Sequence, residues 1–203
     1  MRRIWLLAVV AVAAAALAGF SLYQAQRLQA PGVGFYGTMI ENPPMVSDLT
    51  LASAGPGGQP QEVSLADYQG KLVLVFFGYT HCPDVCPLTM ARLAHMYQEL
   101  GEPDDLQVVM ISVDPQRDTP AVMRDYVQQF DPSFVGLTGT PAQISEAART
   151  FFIGYNAIKG GGTTHTDAVA LLDRHGRMRM VYGQPKLMHL QDDLQRILAG
   201  NGW

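Results

Sequence analysis

Residues 71–87 read KLVLVFFGYTHCPDVCP, and this stretch determines the predicted fold. After its lysine, the run through residue 77 is continuously apolar and rich in β-branched and aromatic side chains. That pattern is typical of a strand buried on both faces of a sheet. A loop follows over residues 78–87, and residues 88–100 have the apolar spacing of a helix. The stretch therefore predicts a buried strand that leads, through a loop with two cysteines, into a long helix.

The rest of the chain extends this unit into a sheet with helices. Further strands are predicted over residues 106–113, 168–172 and 178–182, and further helices over 120–130, 141–152 and 185–198. Thr119 and Thr140 precede two of these helices, and threonine is a favoured N-cap before a first-turn proline. Residues 49–65 have the pattern of a hairpin. The order predicts an α/β, thioredoxin-like fold with an N-terminal β-hairpin and an inserted helix.

An N-terminal transmembrane helix is expected before this domain. Arg2 and Arg3 precede an uncharged apolar run over residues 4–20, which is longer than the core of most signal peptides. We therefore interpret residues 1–23 as a retained membrane anchor, with a signal cleaved near Ala18 as the alternative. The two arginines place the following chain on the exported, periplasmic side of the cytoplasmic membrane, where thiols can oxidise.

Composition and charge limit the function of the exported part. Residues 24–47 are rich in glycine and proline without periodicity and predict a tether, so the domain proper covers residues 48–203. The chain is 48% apolar and 16% charged, as in a globular protein. Beyond its first three arginines it carries 11 basic and 18 acidic residues, which leaves a net charge of −7. This deficit of positive charge argues against a nucleic-acid partner.

The chemistry is expected at Cys82 and Cys86, the only two cysteines of the chain. Both lie where the first strand leads into the first helix, and the positive end of a helix favours thiolate over thiol. The C-x3-C spacing puts the sulfurs about one helical turn apart, so the pair can close a redox disulfide or chelate a soft metal ion. Thioredoxin-type oxidoreductases use C-x2-C instead, and a structural zinc ion needs four ligands.

Two thiolates and one imidazole would suit Cu(I), which tolerates three ligands and prefers sulfur. His81 adjoins Cys82, but neighbouring side chains commonly point apart. His165 follows a glycine-rich segment and leads into the strand predicted from residue 168. In a thioredoxin-like sheet, the loop before that strand lies beside the cysteines. From the residues alone, His165 is as consistent with an ordinary turn as with a metal ligand.

Two segments resemble the Sco/SenC family of exported, membrane-anchored, thioredoxin-like copper proteins. They are residues 71–87 and the stretch VDPQRDTP at 113–120, and the likeness extends over about residues 49–198. The resemblance implies that Cys82, Cys86 and His165 bind one copper ion, as Cu(I) or Cu(II). It departs at Thr164, where the family usually has aspartate before the histidine.

The resemblance also implies a function and partners. Proteins of this family help to build the CuA centre of cytochrome c oxidase. We therefore expect a metallochaperone, which is not itself an enzyme, that delivers copper to the CuA domain of oxidase subunit II. Other copper chaperones or thiol reductases are further expected partners. The alternative is a thiol–disulfide oxidoreductase that keeps the cysteines of the oxidase subunit reduced. Asp114, at the end of the second strand, either lies near the site or caps the following turn.

Overall fold

The structure, a computed structural model, describes residues 34–158 and 162–200, and for residues 56, 156–158 and 162–165 it describes the backbone alone. A compact unit begins at Tyr36. The predicted anchor over residues 1–23 lies outside the described residues. Within the described ranges, no helix is both long enough and apolar enough to span a membrane.

The described residues form ten strands, five α-helices and two short 3-10 helices, Pro56–Gly58 and Leu65–Tyr68. The strands are β1 (Thr38–Met39), β2 (Thr50–Ala54), β3 (Pro60–Ser64), β4 (Leu72–Gly78), β5 (Leu106–Ser112), β6 (Val135–Leu137), β7 (Tyr155–Ile158), β8 (Gly162–His165), β9 (Ala168–Leu172) and β10 (Met178–Gly183). The helices are α1 (Val85–Glu99), α2 (Pro120–Val127), α3 (Pro141–Thr150), α4 (Gln184–Leu187) and α5 (Leu190–Leu198).

A six-stranded sheet in the order β1–β10–β9–β4–β5–β6 forms the centre of the fold. β4 pairs in parallel with β5 and antiparallel with β9, and β5 pairs in parallel with β6. Every residue of β4, β5 and β9 is buried, as the apolar runs predicted. The predicted α/β, thioredoxin-like arrangement is therefore confirmed for the central strands, and β2 and β3 form the predicted N-terminal hairpin.

The predicted starts of two helices are confirmed, and both use a threonine cap. The Thr119 hydroxyl accepts a hydrogen bond from the Val122 N–H at the start of α2. At the start of α3, Thr140 and Gln143 form a reciprocal capping box. Three-residue β6 lies between these helices and was not predicted, because so short a strand shows no periodicity. It makes α2 a crossover between two parallel strands rather than one of two consecutive helices.

The prediction of a tether through residue 47 is wrong in its second half. β1 pairs with β10, and Val46 is buried. The buried carboxylate of Asp193 on α5 accepts hydrogen bonds from the N–H groups of Tyr36 and Gly37, at 2.9 and 3.0 Å. A two-residue edge strand cannot show the alternation that identifies a strand, so this segment was predicted as linker.

Two other boundaries differ from the prediction. The last helix is interrupted at Met188 and His189, so that α4 and α5 replace one helix over residues 185–198. The hairpin of β7 and β8 was predicted as a loop. Its strands pair only with each other among the described strands, and they lack the apolar pattern of the central sheet. His165 is therefore the last residue of a strand.

Candidate metal centre

The two cysteines lie at the junction between β4 and α1. β4 ends at Gly78 and α1 begins at Val85, three residues earlier than predicted, so Cys82 lies in the loop and Cys86 in the first helical turn. The Cys86 N–H donates a hydrogen bond to the Cys82 Sγ at 3.4 Å. The side chains of the two thiols also hydrogen-bond to each other. Both are free thiols.

The two thiols have opposite electrostatic environments. Burial opposes ionisation of the half-buried Cys82, but hydrogen bonds from the Cys86 thiol, from two backbone N–H groups and from Tyr79 outweigh it and lower the pKa of Cys82. Burial raises the pKa of Cys86 well above its ordinary value, and the hydrogen bond with Cys82 raises it further. Cys82 is therefore the more readily ionised of the two thiols, and Cys86 is the harder one to deprotonate.

A glycine at the end of β4 makes room for the buried sulfur. A Cβ atom at Gly78 would lie 3.0 Å from the Cys86 Sγ, 2.8 Å from the Met110 Cε and 2.9 Å from the Phe76 Cε1. All three neighbours are fully buried. Because carbon atoms pack at about 3.5–4.0 Å, any larger residue at this position has to displace the sulfur or its surroundings.

Asp118 is the acidic residue of the second motif that reaches the cysteine loop. Its side chain is fully buried, and it accepts hydrogen bonds from the Thr80 N–H, the Thr80 hydroxyl and the Ser112 hydroxyl. Asp114, for which the sequence left open a place near the site or a turn cap, pairs with Arg117, whose Nε lies 2.5 Å from its carboxylate. Asp118 directly precedes Thr119, the N-cap of α2, and this position was the one sequence feature that could have indicated its role.

Two further buried polar atoms lie in the electrostatic surroundings of the cysteines. The Tyr126 hydroxyl and the Asp167 Oδ1 have no hydrogen-bond partner in the described part of the chain. Burial raises the pKa of Tyr126, and the two cysteines raise it further. Asp167 contributes to the raised pKa of Cys86. Buried polar atoms without partners are uncommon and often belong to functional sites. Neither residue was singled out from the sequence.

His165 is the last residue of β8, and its side chain is outside the described atoms. His165 pairs with Tyr155 across the β7–β8 hairpin, and the next residue donates a hydrogen bond to the Gly154 carbonyl. Asp167, two residues further on, acts on Cys86. Among the described side chains, no group of three or more His, Cys, Asp or Glu is placed to hold a metal ion. The ligand set of Cys82, Cys86 and His165 stays a prediction.

His81, which adjoins Cys82 in the sequence, has its own partners. The His81 Nδ1 lies 3.0 Å from the Thr80 hydroxyl oxygen and 3.9 Å from the Asp118 carboxylate. The His81 ring therefore lies beside Thr80 and Asp118. The hydrogen bond of the His81 ring is therefore made with Thr80.

Fold and site together define a thioredoxin-like domain with a C-x3-C pair at its first strand-to-helix junction. The chain belongs to the SCO1/SenC family, whose model matches residues 57–198. This membership confirms the resemblance seen in the two sequence segments.

Similar curated proteins include the mouse and human forms of "Protein SCO2 homolog, mitochondrial". The mouse protein is 38% identical over 137 residues, which cover 64% of this chain and 53% of that protein. The human protein is 36% identical over 143 residues, with 66% and 54% covered. The chain thus spans about half the length of the curated relatives it matches.

Similar solved structures include apo and copper-bound proteins. The solution structure of apo Sco1 from Thermus thermophilus has a TM-score of 0.68 and 36% identity, and covers 84% of this chain and 99% of that one. Bradyrhizobium japonicum ScoI with copper bound has a TM-score of 0.63 and 33% identity, and covers 72% and 96%. These likenesses support the thioredoxin-like fold over most of the described chain.

Proposed function

We propose that this protein is a copper metallochaperone, which holds one copper ion with Cys82, Cys86 and His165. The observation that carries the proposal is the pair of hydrogen-bonded thiols at the start of α1, one with a lowered pKa and one buried. Copper-bound relatives of the same family support copper as the ion. The family resemblance further supports delivery to the CuA domain of cytochrome c oxidase subunit II.

The donor set fits Cu(I) better than hard ions such as Mg²⁺ and Ca²⁺. Thiolates are soft ligands that select Cu(I), whereas Mg²⁺ and Ca²⁺ require several oxygen ligands. Cys82 offers a half-buried thiol with a lowered pKa, and Cys86 offers a second, buried sulfur in the first turn of α1. The imidazole of His165, two residues before Asp167, would be the third ligand.

Copper binding by the full chain tests this proposal. Wild-type protein should bind one Cu(I), and X-ray absorption should show two Cu–S contacts and one Cu–N contact. His165→Ala should lose the Cu–N contact and bind more weakly. His95→Ala, which changes an exposed histidine on α1, is the matched control and should behave as wild type. A His165→Ala variant with an unchanged spectrum and affinity would contradict the ligand set.

A thiol–disulfide oxidoreductase is the second candidate, because the same pair has the asymmetry of a redox dithiol. The pKa of half-buried Cys82 is lowered, as in an attacking thiol, and buried Cys86 lies within hydrogen-bond reach to resolve a mixed disulfide. Such a protein would keep the CuA cysteines reduced and would need no imidazole. Reduction of an oxidised CuA domain at an undiminished rate by His165→Ala would favour this function.

We propose a single-pass location in the cytoplasmic membrane, with the domain on the periplasmic side. The proposal depends on Arg2, Arg3 and the apolar run after them. Full-length protein should fractionate with membranes, and externally added protease should remove the domain. A soluble mature form that begins near Gly19 would show that the segment is a cleaved signal instead.

A further inference from the structure

We infer that Asp118 is a positioning residue for the copper site: it fixes the loop that carries Cys82 by binding Thr80, without contacting the metal. This inference depends on the proposed function for its copper readout. Its redox readout depends only on the two cysteines. The residue and its contacts lie wholly within the described chain.

The contacts of Asp118 concentrate on one residue of the cysteine loop. One carboxylate oxygen accepts the Thr80 hydroxyl at 2.5 Å, and the other accepts the Thr80 N–H at 3.1 Å. The second oxygen also accepts the Ser112 hydroxyl at 2.6 Å. Hydrogen bonds to an ionised carboxylate are shorter and about twice as strong as neutral ones. Thr80 is therefore held at both its backbone and its side chain.

The carboxylate connects the loop to two rigid elements. Ser112 is the last residue of β5, a fully buried strand, and Asp118 directly precedes the N-cap of α2. The loop itself has one local backbone bond at this point, from the Cys82 N–H to the Tyr79 carbonyl at 3.2 Å. Thr80 is two residues before Cys82, so a shift of Thr80 is transmitted to the Cys82 sulfur.

The geometry of a bound metal is sensitive to shifts of this size. Functional groups have to be held within about 0.5 Å of the productive position, and loss of supporting hydrogen bonds around a metal site typically costs about 10–100-fold in affinity. Cys86 is fixed in a helical turn, whereas Cys82 lies in a loop. The position of Cys82 therefore depends more strongly on side-chain anchors, and Asp118 provides two of the bonds that anchor it.

The second motif supplies a matched control. Asp114 is four residues before Asp118, and its carboxylate pairs with Arg117 rather than with the cysteine loop. Asp114→Asn therefore changes the same side chain in the same motif without touching Thr80. Thr80→Val removes the two hydrogen bonds of the hydroxyl, to Asp118 and to the exposed His81 ring, and leaves the N–H bond to Asp118. Thr80→Ser retains all three bonds and should restore wild-type behaviour.

The experiment measures the full-length chain in three ways: Cu(I) affinity by competition with a chelator, the Cys82–Cys86 reduction potential in glutathione buffers, and unfolding by denaturant. Thr80→Val and Asp118→Asn should weaken Cu(I) binding about 10-fold or more and shift the redox midpoint. Thr80→Ser and Asp114→Asn should match wild type in both. Because Thr80→Val retains the buried carboxylate, it tests the inference even where Asp118→Asn fails to fold.

The outcomes separate this inference from the proposed function. A folded Thr80→Val variant with wild-type copper affinity and wild-type potential would overturn the role of Asp118. A change of unfolding free energy alone, with neither readout moved, would also overturn it, because the bond would then be purely structural. A wild-type protein that binds no copper would refute the proposed function, and the redox midpoint would still decide the role of Asp118.

Discussion

Replacement of Gly78 by alanine should displace the Cys86 sulfur while leaving both cysteines in the sequence. The added Cβ would lie 3.0 Å from the Cys86 Sγ, 2.8 Å from the Met110 Cε and 2.9 Å from the Phe76 Cε1. Contacts of about 3.5–4.0 Å are normal, so each neighbour has to move by about 0.5 Å or more. Overpacking a buried position typically costs about 1–3 kcal/mol. Gly78 has no positive φ, so the backbone itself tolerates alanine.

The displacement should appear in copper affinity as well as in stability. The end of the Met110 side chain can rotate away, but Cys86 is fully buried and is fixed by α1. A sulfur that moves by about 0.5 Å or more leaves the tolerance of a metal site, so we expect Cu(I) affinity to fall about 10-fold or more. Chelator competition and denaturant titration of the same preparation measure both effects.

Gly183 provides the matched control for this substitution. A Cβ at Gly183 would meet no heavy atom within 4 Å, and the residue has a φ of −73° that alanine adopts easily. Gly183→Ala should therefore stay within about 0.5 kcal/mol of wild type and bind copper normally. If Gly78→Ala matched Gly183→Ala in both measurements, the close packing of Cys86 against β4 would be wrong.

Three further predictions concern the thiols and one strained residue. At neutral pH, iodoacetamide should label Cys82 first and Cys86 only in denaturant, because the pKa of Cys82 is lowered and that of Cys86 is raised; equal labelling by peptide mass spectrometry would contradict this. Oxidation should give one intrachain disulfide between them, which non-reducing electrophoresis and mass mapping would distinguish from dimers. Phe152 is 70% exposed and has a φ of 56°, a left-handed conformation that is strained for residues other than glycine. Phe152→Gly should therefore raise the unfolding free energy by about 1 kcal/mol. An unchanged or lower denaturation midpoint would be inconsistent with strain there.

The sequence predicted those parts of the fold whose signal is local. The run from residue 72 to 77 is apolar without interruption, and a strand buried on both faces needs such a run. Thr119 and Thr140 cap helices with their own hydroxyls, so their starts are encoded within four residues. The cysteine pair was also predictable from local sequence, because Cys82 and Cys86 are only four residues apart at the start of one helix.

The missed features depend on contacts between distant segments. β1 is recognisable only through its pairing with β10, and the β7–β8 hairpin pairs two four-residue strands that share no ladder with the central sheet among the described strands. Asp114 and Asp118 have the same side chain in one motif. The turn between them directs Asp118 inward to Thr80 and Asp114 outward to Arg117, and no local propensity distinguishes the two.

If the proposed copper site forms, the unequal thiols would connect binding of the ion with its release. Cys82, half-buried and with a lowered pKa, would be the easier thiol to ionise, and a two-sulfur chelate would require Cys86 to lose its proton as well. Because burial raises the pKa of Cys86, the folded protein favours the protonated thiol, and copper affinity should therefore increase with pH. Return of a proton to Cys86 would weaken the chelate and so favour transfer of copper to an acceptor.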